Sequence, residues 1–239
     1  MFADPDGEFR GTVTSASLTD VIEHCRASDW PADLVTVTGD LIQDDSAAAY
    51  QRFIELISPL QLPVHCVPGN HDIRALMQEA VNTPPFYYCD VTEIENWLIV
   101  GVDSCEFDRA GGIIDASEYQ RLEQAIDSSD ADHVMVCLHH PPVEMGCAWL
   151  DTVGLDEPDV FFERVGASGK VRLAIFGHVH QAYDSEHHGV QIIGTPSTCR
   201  QFKPGSADFA VDDRPPAYRR ISLYADGQFE TELVWVGDA

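Results

Sequence analysis

The tightest limit on what this chain can fold into comes from its short apolar runs. Each is cut off by a turn and followed by polar side chains able to bind a metal. Asp33-Leu34-Val35-Thr36-Val37-Thr38 stops at Gly39-Asp40, and Val64-His65-Cys66-Val67 stops at Pro68-Gly69, ahead of Asn70-His71-Asp72. Residues 133–138 run into His139-His140-Pro141-Pro142, and residues 171–176 into Gly177-His178-Val179-His180. Residues 96–102 make a further run of this kind. Such runs, too short for buried helices and without polar alternation, have the pattern of strands covered on both faces. Helical periodicity separates them. Residues 46–56 are expected to be a helix with Ser46 as N-cap and Pro59 as its stop, and residues 117–126 another, with Glu118 and Glu123 on exposed faces. Strands that alternate with helices give an α/β domain.

The last third changes character. Residues 190–194, 217–224 and 229–236 read as strands joined by turns, with Asp226-Gly227 as a hairpin signal. There is no internal repeat, low-complexity tract or long linker, so residues 1–239 are expected to form a single domain.

Charge narrows the partners. The chain carries 14 Lys+Arg against 40 Asp+Glu, a formal net charge of −26. Such a polyanion is repelled by nucleic-acid phosphates, so DNA or RNA is not the expected partner. Only Lys170 and Lys203 are lysines, a skew seen in salt-adapted proteins, although an ordinary acidic cytosolic enzyme is the favoured reading. No apolar run approaches the roughly 18–20 residues of a membrane span. Residues 1–8 lack the basic start and apolar stretch of a secretory signal. The seven cysteines stand singly, with no Cys-x-x-Cys pair, and read as reduced thiols. A cytoplasmic protein without a membrane partner is expected.

Chemistry is concentrated at the strand ends, which in α/β sheets open into the ligand crevice. Each cluster has a bland alternative. Gly39-Asp40 could be a turn, Asn70-His71-Asp72 a turn with Asp72 as a cap, and His139-His140 part of a loop that prolines terminate. His178-x-His180 is stronger, because period-two spacing projects both imidazoles to one side. Together the clusters supply imidazole, carboxylate and amide oxygen, a donor mixture suited to Mn, Fe or Zn.

Gly39-Asp40-Leu41, Gly69-Asn70-His71-Asp72, His139 and Gly177-His178-Val179-His180, in that order, resemble the calcineurin-like metallophosphoesterases. Residues 146–151 (Gly-Cys-Ala-Trp-Leu-Asp) and 194–204 (Gly-Thr-Pro-Ser-Thr-Cys-Arg-Gln-Phe-Lys-Pro) extend the resemblance to bacterial class III 3′,5′-cyclic-AMP phosphodiesterases. The resemblance implies a four-layer αββα sandwich with a binuclear metal site. Asp40 would bridge two ions, Asn70, His139 and His178 would complete the second, and His180 would ligate the first. His71 would be the general acid, with Asp72 orienting its ring. The implied activity is hydrolysis of 3′,5′-cyclic nucleotides, cyclic AMP foremost, to 5′-monophosphates by a metal-bridged hydroxide. Two ions about 3.5–4 Å apart would neutralise the diester and lower the pKa of a water. A homodimer is compatible with the resemblance. The rivals are a phosphodiesterase for another small diester, such as a glycerophosphodiester, and a catalytically impaired nucleotide-binding or interaction protein.

One departure matters. The family opens with a strand ending in Asp-x-His, and this chain contains no Asp-x-His. Glu186-His187-His188 comes nearest and is expected to be exposed beside the turn at Gly189. The first strand of the sandwich is therefore expected to be missing, with an in-frame upstream segment supplying it. Without that segment, only one ion should be held firmly, and the protein should aggregate readily and turn over poorly.

Overall fold

The computed structural model describes residues 1–28 and 31–237. A small hairpin of β1 (Glu8–Phe9) and β2 (Thr12–Val13) leads into helix α1 (Thr14–Ala27). Three parallel strands follow with helices between them: β3 (Val35–Val37), α2 (Ala47–Ile57), β4 (Val64–Cys66), α3 (Arg74–Ala80) and β5 (Phe86–Tyr88). Ser46 caps α2 as its spacing suggests, its Oγ accepting from the Ala49 amide at 3.1 Å. Pro59 does not stop the chain abruptly; residues 58–60 tighten into a 3₁₀ turn that contains it.

The larger sheet is built from β6 (Val91–Ile94), β7 (Trp97–Gly101), β8 (His133–Leu138), β9 (Val171–Phe176), β10 (Tyr183–His187) and β11 (Val190–Gly194), in the order β10-β11-β9-β8-β7-β6. Its four central strands are parallel, and the edge strands β10 and β6 run antiparallel. Helix α4 (Ala116–Ser128) lies between β7 and β8, and α5 (Pro158–Gly166) between β8 and β9. The chain closes with the short pair β12 (Gln201–Phe202) and β13 (Val211–Asp212), then the hairpin β14 (Ala217–Leu223) and β15 (Phe229–Trp235).

Side-chain alternation sorts these elements into layers. Leu98, Val100, Val134, Val136, Ala174 and Ile192 on one face of the large sheet pack on Leu122 and Ile126 of α4 and Phe161 and Val165 of α5. Trp97, Ile99, Met135, Leu173 and Ile175 on the opposite face pack towards Leu34, Ile221 and Leu223. The outer side of the small sheet is covered by Leu18 and Ile22 of α1, Tyr50 and Phe53 of α2 and Met77 of α3. The architecture is mixed α/β, with sheets flanked by helices on both outer sides. Glu118 differs from expectation. Its carboxylate is largely buried and accepts from the Asp103 amide and from Arg121, which ties α4 to the loop after β7. No helix among the described residues is long and apolar enough to cross a membrane.

Between the sheets lies a cavity of about 1030 Å³. The Val35 amide donates to Pro63 O and the Val67 amide to Val37 O. Residues 35 and 37 thus direct their backbone groups to β4, and Thr36 directs its own the other way, into the cavity. Consecutive residues 33–38 and 217–223 all line this space. Alternate residues of a strand face opposite sides, so uninterrupted lining means that the edges of β3 and β14 themselves border it.

Candidate metal centre

The C-terminal ends of β3, β4, β8 and β9 bring the predicted clusters together. Gly39 makes the junction possible. Its φ is +97°, and a Cβ there would come within 2.8 Å of Gly69 Cα, so the two loops touch through their glycines. Asp40, His178 and His180 also have left-handed backbone, with φ of 57°, 62° and 48°. Non-glycine residues seldom adopt it without a surrounding structure that enforces it.

Asn70 Oδ1 is 3.2 Å from His139 Nε2 and 3.0 Å from His178 Nδ1, and the two ring nitrogens are 3.1 Å apart. Asp40 Oδ1 is 3.5 Å from His139 Nε2. His139 Nδ1 lies 2.6 Å from Thr38 O, so that nitrogen carries the proton and Nε2 presents a lone pair. Several acceptor atoms thus point at one another with too few protons to link them. That is the donor set a cation fits. Buried His178 Nε2 has no partner among the described residues.

His140 also contributes a nitrogen to a three-imidazole group with His139 and His178, spanning 4.8 Å. Its hydrogen bonds give it a different job. Nε2 lies 3.2 Å from Ala110 O and Nδ1 2.9 Å from Ser104 Oγ, so both nitrogens are satisfied and the ring ties the Ser104 loop to β8. His180 is fixed by Nδ1 donating to Arg200 O at 2.7 Å, which leaves Nε2 unprotonated, and its ring stacks on Phe202 at 4.1 Å and 7°.

Burial, above all, pushes the His178 imidazole down to about 3 and that of His180 to about 4, keeping both rings neutral. Burial alone would raise the Asp40 carboxyl. His139, His71 and His178 outweigh it and hold the group well below the usual carboxylate range. Neutral imidazoles beside an ionised carboxylate are the protonation states that metal binding requires.

His71 is exposed at the mouth, its amide donating to Asp40 Oδ1 at 3.0 Å. Asp72 does not contact the His71 ring as expected. Its carboxylate accepts from the Gly69 amide at 2.9 Å, the Leu41 amide at 3.1 Å and the Tyr50 hydroxyl at 3.0 Å. It is a clamp joining the Asp40 loop to the Asn70 loop. Burial, then the Asp40 charge, lift it to about 6. Glu186, His187 and His188 lie on β10 and its turn to β11, with Glu186 and His188 exposed.

Sequence reasoning missed Tyr50, Ser104 and Thr38, whose contributions are a hydroxyl or a carbonyl with no sequence signature. It also missed the Arg74–Asp103 pair, which joins α3 to the loop after β7 at 2.6 Å. Buried Met1 lies at the same site, its backbone nitrogen donating to Leu41 O.

Comparison with known proteins gives this geometry a context. The calcineurin-like phosphoesterase family model matches residues 13–182. The 3′,5′-cyclic adenosine monophosphate phosphodiesterase CpdA of Pseudomonas aeruginosa is 34% identical over 238 residues, covering 100% of this chain and 87% of that protein. Its namesake from Escherichia coli K12 is 34% identical over 239 residues, with the same coverage. Among solved structures, a dimetal phosphatase from Danio rerio has a TM-score of 0.61 at 16% identity, covering 93% of this chain and 89% of that one.

Proposed function

The chain belongs to the calcineurin-like phosphoesterase family, and on that premise we propose that it hydrolyses 3′,5′-cyclic nucleotides, cyclic AMP foremost, to 5′-monophosphates. Residues 1–239 act as one catalytic domain in this reading. The observation that carries it is the convergence of Asn70 Oδ1, His139 Nε2, His178 Nδ1 and Asp40 Oδ1 at the strand ends. These four would hold one ion, and Asp40 with His180 would serve a second. The mixed nitrogen and oxygen donors suit iron, manganese or zinc. Bound ions would neutralise the diester's charge and make water a competent nucleophile at neutral pH.

The protein's own groups do the rest. Asp72 keeps the Asp40 and Asn70 loops in register through their amides. Thr38 and Arg200 carbonyls fix the tautomers of His139 and His180. Exposed His71, anchored through its backbone to Asp40, delivers a proton to the leaving ribose oxygen, a role worth roughly 10²–10⁴-fold in general acid catalysis. The reading carries a cytoplasmic location, and a homodimer is the assembly to look for by light scattering.

Turnover of cyclic AMP, cyclic GMP, 2′,3′-cyclic AMP and a glycerophosphodiester, with metal content measured on the same sample, tests the proposal. Cyclic AMP is expected to be the best substrate. Preference for the glycerophosphodiester would replace the substrate assignment. Cyclic AMP binding without turnover would favour the impaired nucleotide-binding protein instead.

A further inference from the structure

Apart from the Arg200 carbonyl that orients His180, the two stretches at residues 146–151 and 194–204 find no use in holding the ions or in the proton transfer, yet the fold brings them against each other and against His180. Cys147 Sγ lies 3.7 Å from Lys203 O and 3.1 Å from Ser206 O. The turn that presents Trp149 is closed by Asp151, which accepts from the Met145 amide at 2.7 Å and the Cys147 amide at 3.0 Å. Trp149, Phe202 and Phe209 form a three-ring group with centroids 5.2, 5.3 and 5.2 Å apart and interplanar angles of 69–70°. Phe202 is the innermost, stacked on the His180 imidazole. Phe209 is the outermost and 43% exposed, with the Arg10 guanidinium 4.6 Å over its ring. Trp149 Nε1 is buried with no hydrogen-bond partner among the described residues.

A cluster serving only as core would cover its last ring and satisfy its indole. This one runs outward from a candidate metal ligand, ends in an exposed ring beside a cation, and keeps an unused N–H donor. Arg10 and Lys203 add local positive charge in a chain of net charge −26. We propose that Trp149, Phe209 and Arg10 form the subsite for the nucleotide's base, holding it by stacking and cation–π contact while the phosphate lies at the Asp40–His180 end. This rests on the cyclic-nucleotide reading and adds the residues that would separate nucleotides from base-free diesters. Base–aromatic stacking is worth about 1–3 kcal/mol per base, or roughly 5- to 150-fold in affinity.

The test is calorimetric binding of 5′-AMP against ribose 5-phosphate, which keeps the sugar and phosphate and lacks the base, run beside cyclic AMP turnover. Wild-type protein is expected to prefer 5′-AMP at least tenfold. Phe209→Ala and Trp149→Ala should reduce that preference towards unity with ribose 5-phosphate affinity unchanged, and Phe209→Tyr should keep it. Phe209 is exposed enough for its variants to fold, so the result does not depend on the Trp149 variant. No preference in wild-type protein, or a preference that survives Phe209→Ala and Trp149→Ala, overturns the subsite. Cyclic AMP turnover without a 5′-AMP preference sinks the subsite and keeps the activity. A Phe209-dependent preference without turnover does the reverse.

Discussion

Replacing Tyr50 by Phe isolates one atom in the clamp between the two ligand loops. Tyr50 is fully buried in α2, and its hydroxyl donates to Asp72 Oδ1 at 3.0 Å while accepting from the Ile73 amide at 3.0 Å. Phe fills the same space without the oxygen, so no cavity of consequence opens. A hydrogen bond to a charged acceptor contributes about 1.5–3 kcal/mol, and an unsatisfied buried amide costs about 1–3 kcal/mol. Ile73 is only half-buried, which lets water recover part of the second loss. A total of about 3 kcal/mol follows. For a chain of this size each kcal/mol moves Tm by about 2–4 °C, so Tm should fall by about 6–12 °C. Urea unfolding should show a lower midpoint with an unchanged slope, since the surface exposed on unfolding is the same. The Asp72 carboxylate keeps its two backbone amides, so the variant should fold and still bind metal, with weaker affinity as the loops loosen. A loss under about 0.5 kcal/mol would refute the clamp.

Three further outcomes are expected. Asp40→Ala should abolish metal retention by mass spectrometry, while His71→Ala should leave it nearly unchanged and slow turnover most for poor leaving groups; equal metal loss in both would make His71 a ligand. In metal-free protein, His178 at about 3 and His180 at about 4 are neutral when folded and protonate on unfolding below pH 6.5, so their contribution is complete above pH 6.5 and is lost as pH falls through that window. Depressed Asp40 acts in the same direction only below about pH 4, outside this comparison, and Asp72 at about 6 opposes the histidines between about pH 4 and 6. The two histidines outweigh it, so the urea midpoint should be lower at pH 5 than at pH 7.5, and a higher one would contradict these environments. Finally, the Thr36 amide, directed into the cavity, should exchange hydrogen much faster than the Val35 amide bonded to Pro63 O; equal protection would mean that the β3 edge is paired.

Legibility in the sequence followed the physics of each element. Residues 133–138, 171–176 and 190–194 are strands at the expected bounds, because their apolar runs are buried between layers and end at unmistakable breakers. Helix α1 escaped notice: its buried Leu18, Val21 and Ile22 make a short stripe interrupted by polar Thr19 and Asp20. The outer strands β6 and β10 have alternate residues exposed and carry charges, so their identity comes from pairing with β7 and β11 rather than from composition. The exposed face expected for Glu118 failed for the same kind of reason, since its partners, Asp103 and Arg121, meet it only in three dimensions. The strand-end clusters were legible because glycine, carboxylate and imidazole are rare company at an apolar strand's end. Asp72 shows where that legibility stops. A carboxylate next to a histidine suggests a ring contact, and only the fold reveals three other donors already in place.

His139 and His140 sharpen that limit. They are adjacent, buried and chemically identical, and no periodicity argument separates them. What separates them is where each ring finds its proton acceptor. Thr38 O, at the end of β3, takes the His139 Nδ1 proton and thereby turns Nε2 towards Asn70 and Asp40. His140 turns instead to the loop after β7, with Ala110 O on one nitrogen and the Ser104 hydroxyl on the other. His139 is thus turned towards the site by a carbonyl on its far side, and β3 supplies that carbonyl because its end abuts β8 across the two sheets. Disturbing the β3 end should therefore remove a metal ligand without changing any ligand residue. Thr38→Pro, which leaves the carbonyl in the chain but restricts the backbone that aims it, should lower metal affinity in proportion to the lost His139 orientation. Metal content measured across a dilution series reads this directly. Retention equal to wild type in a folded Thr38→Pro protein would mean that His139 is oriented by something other than the Thr38 carbonyl.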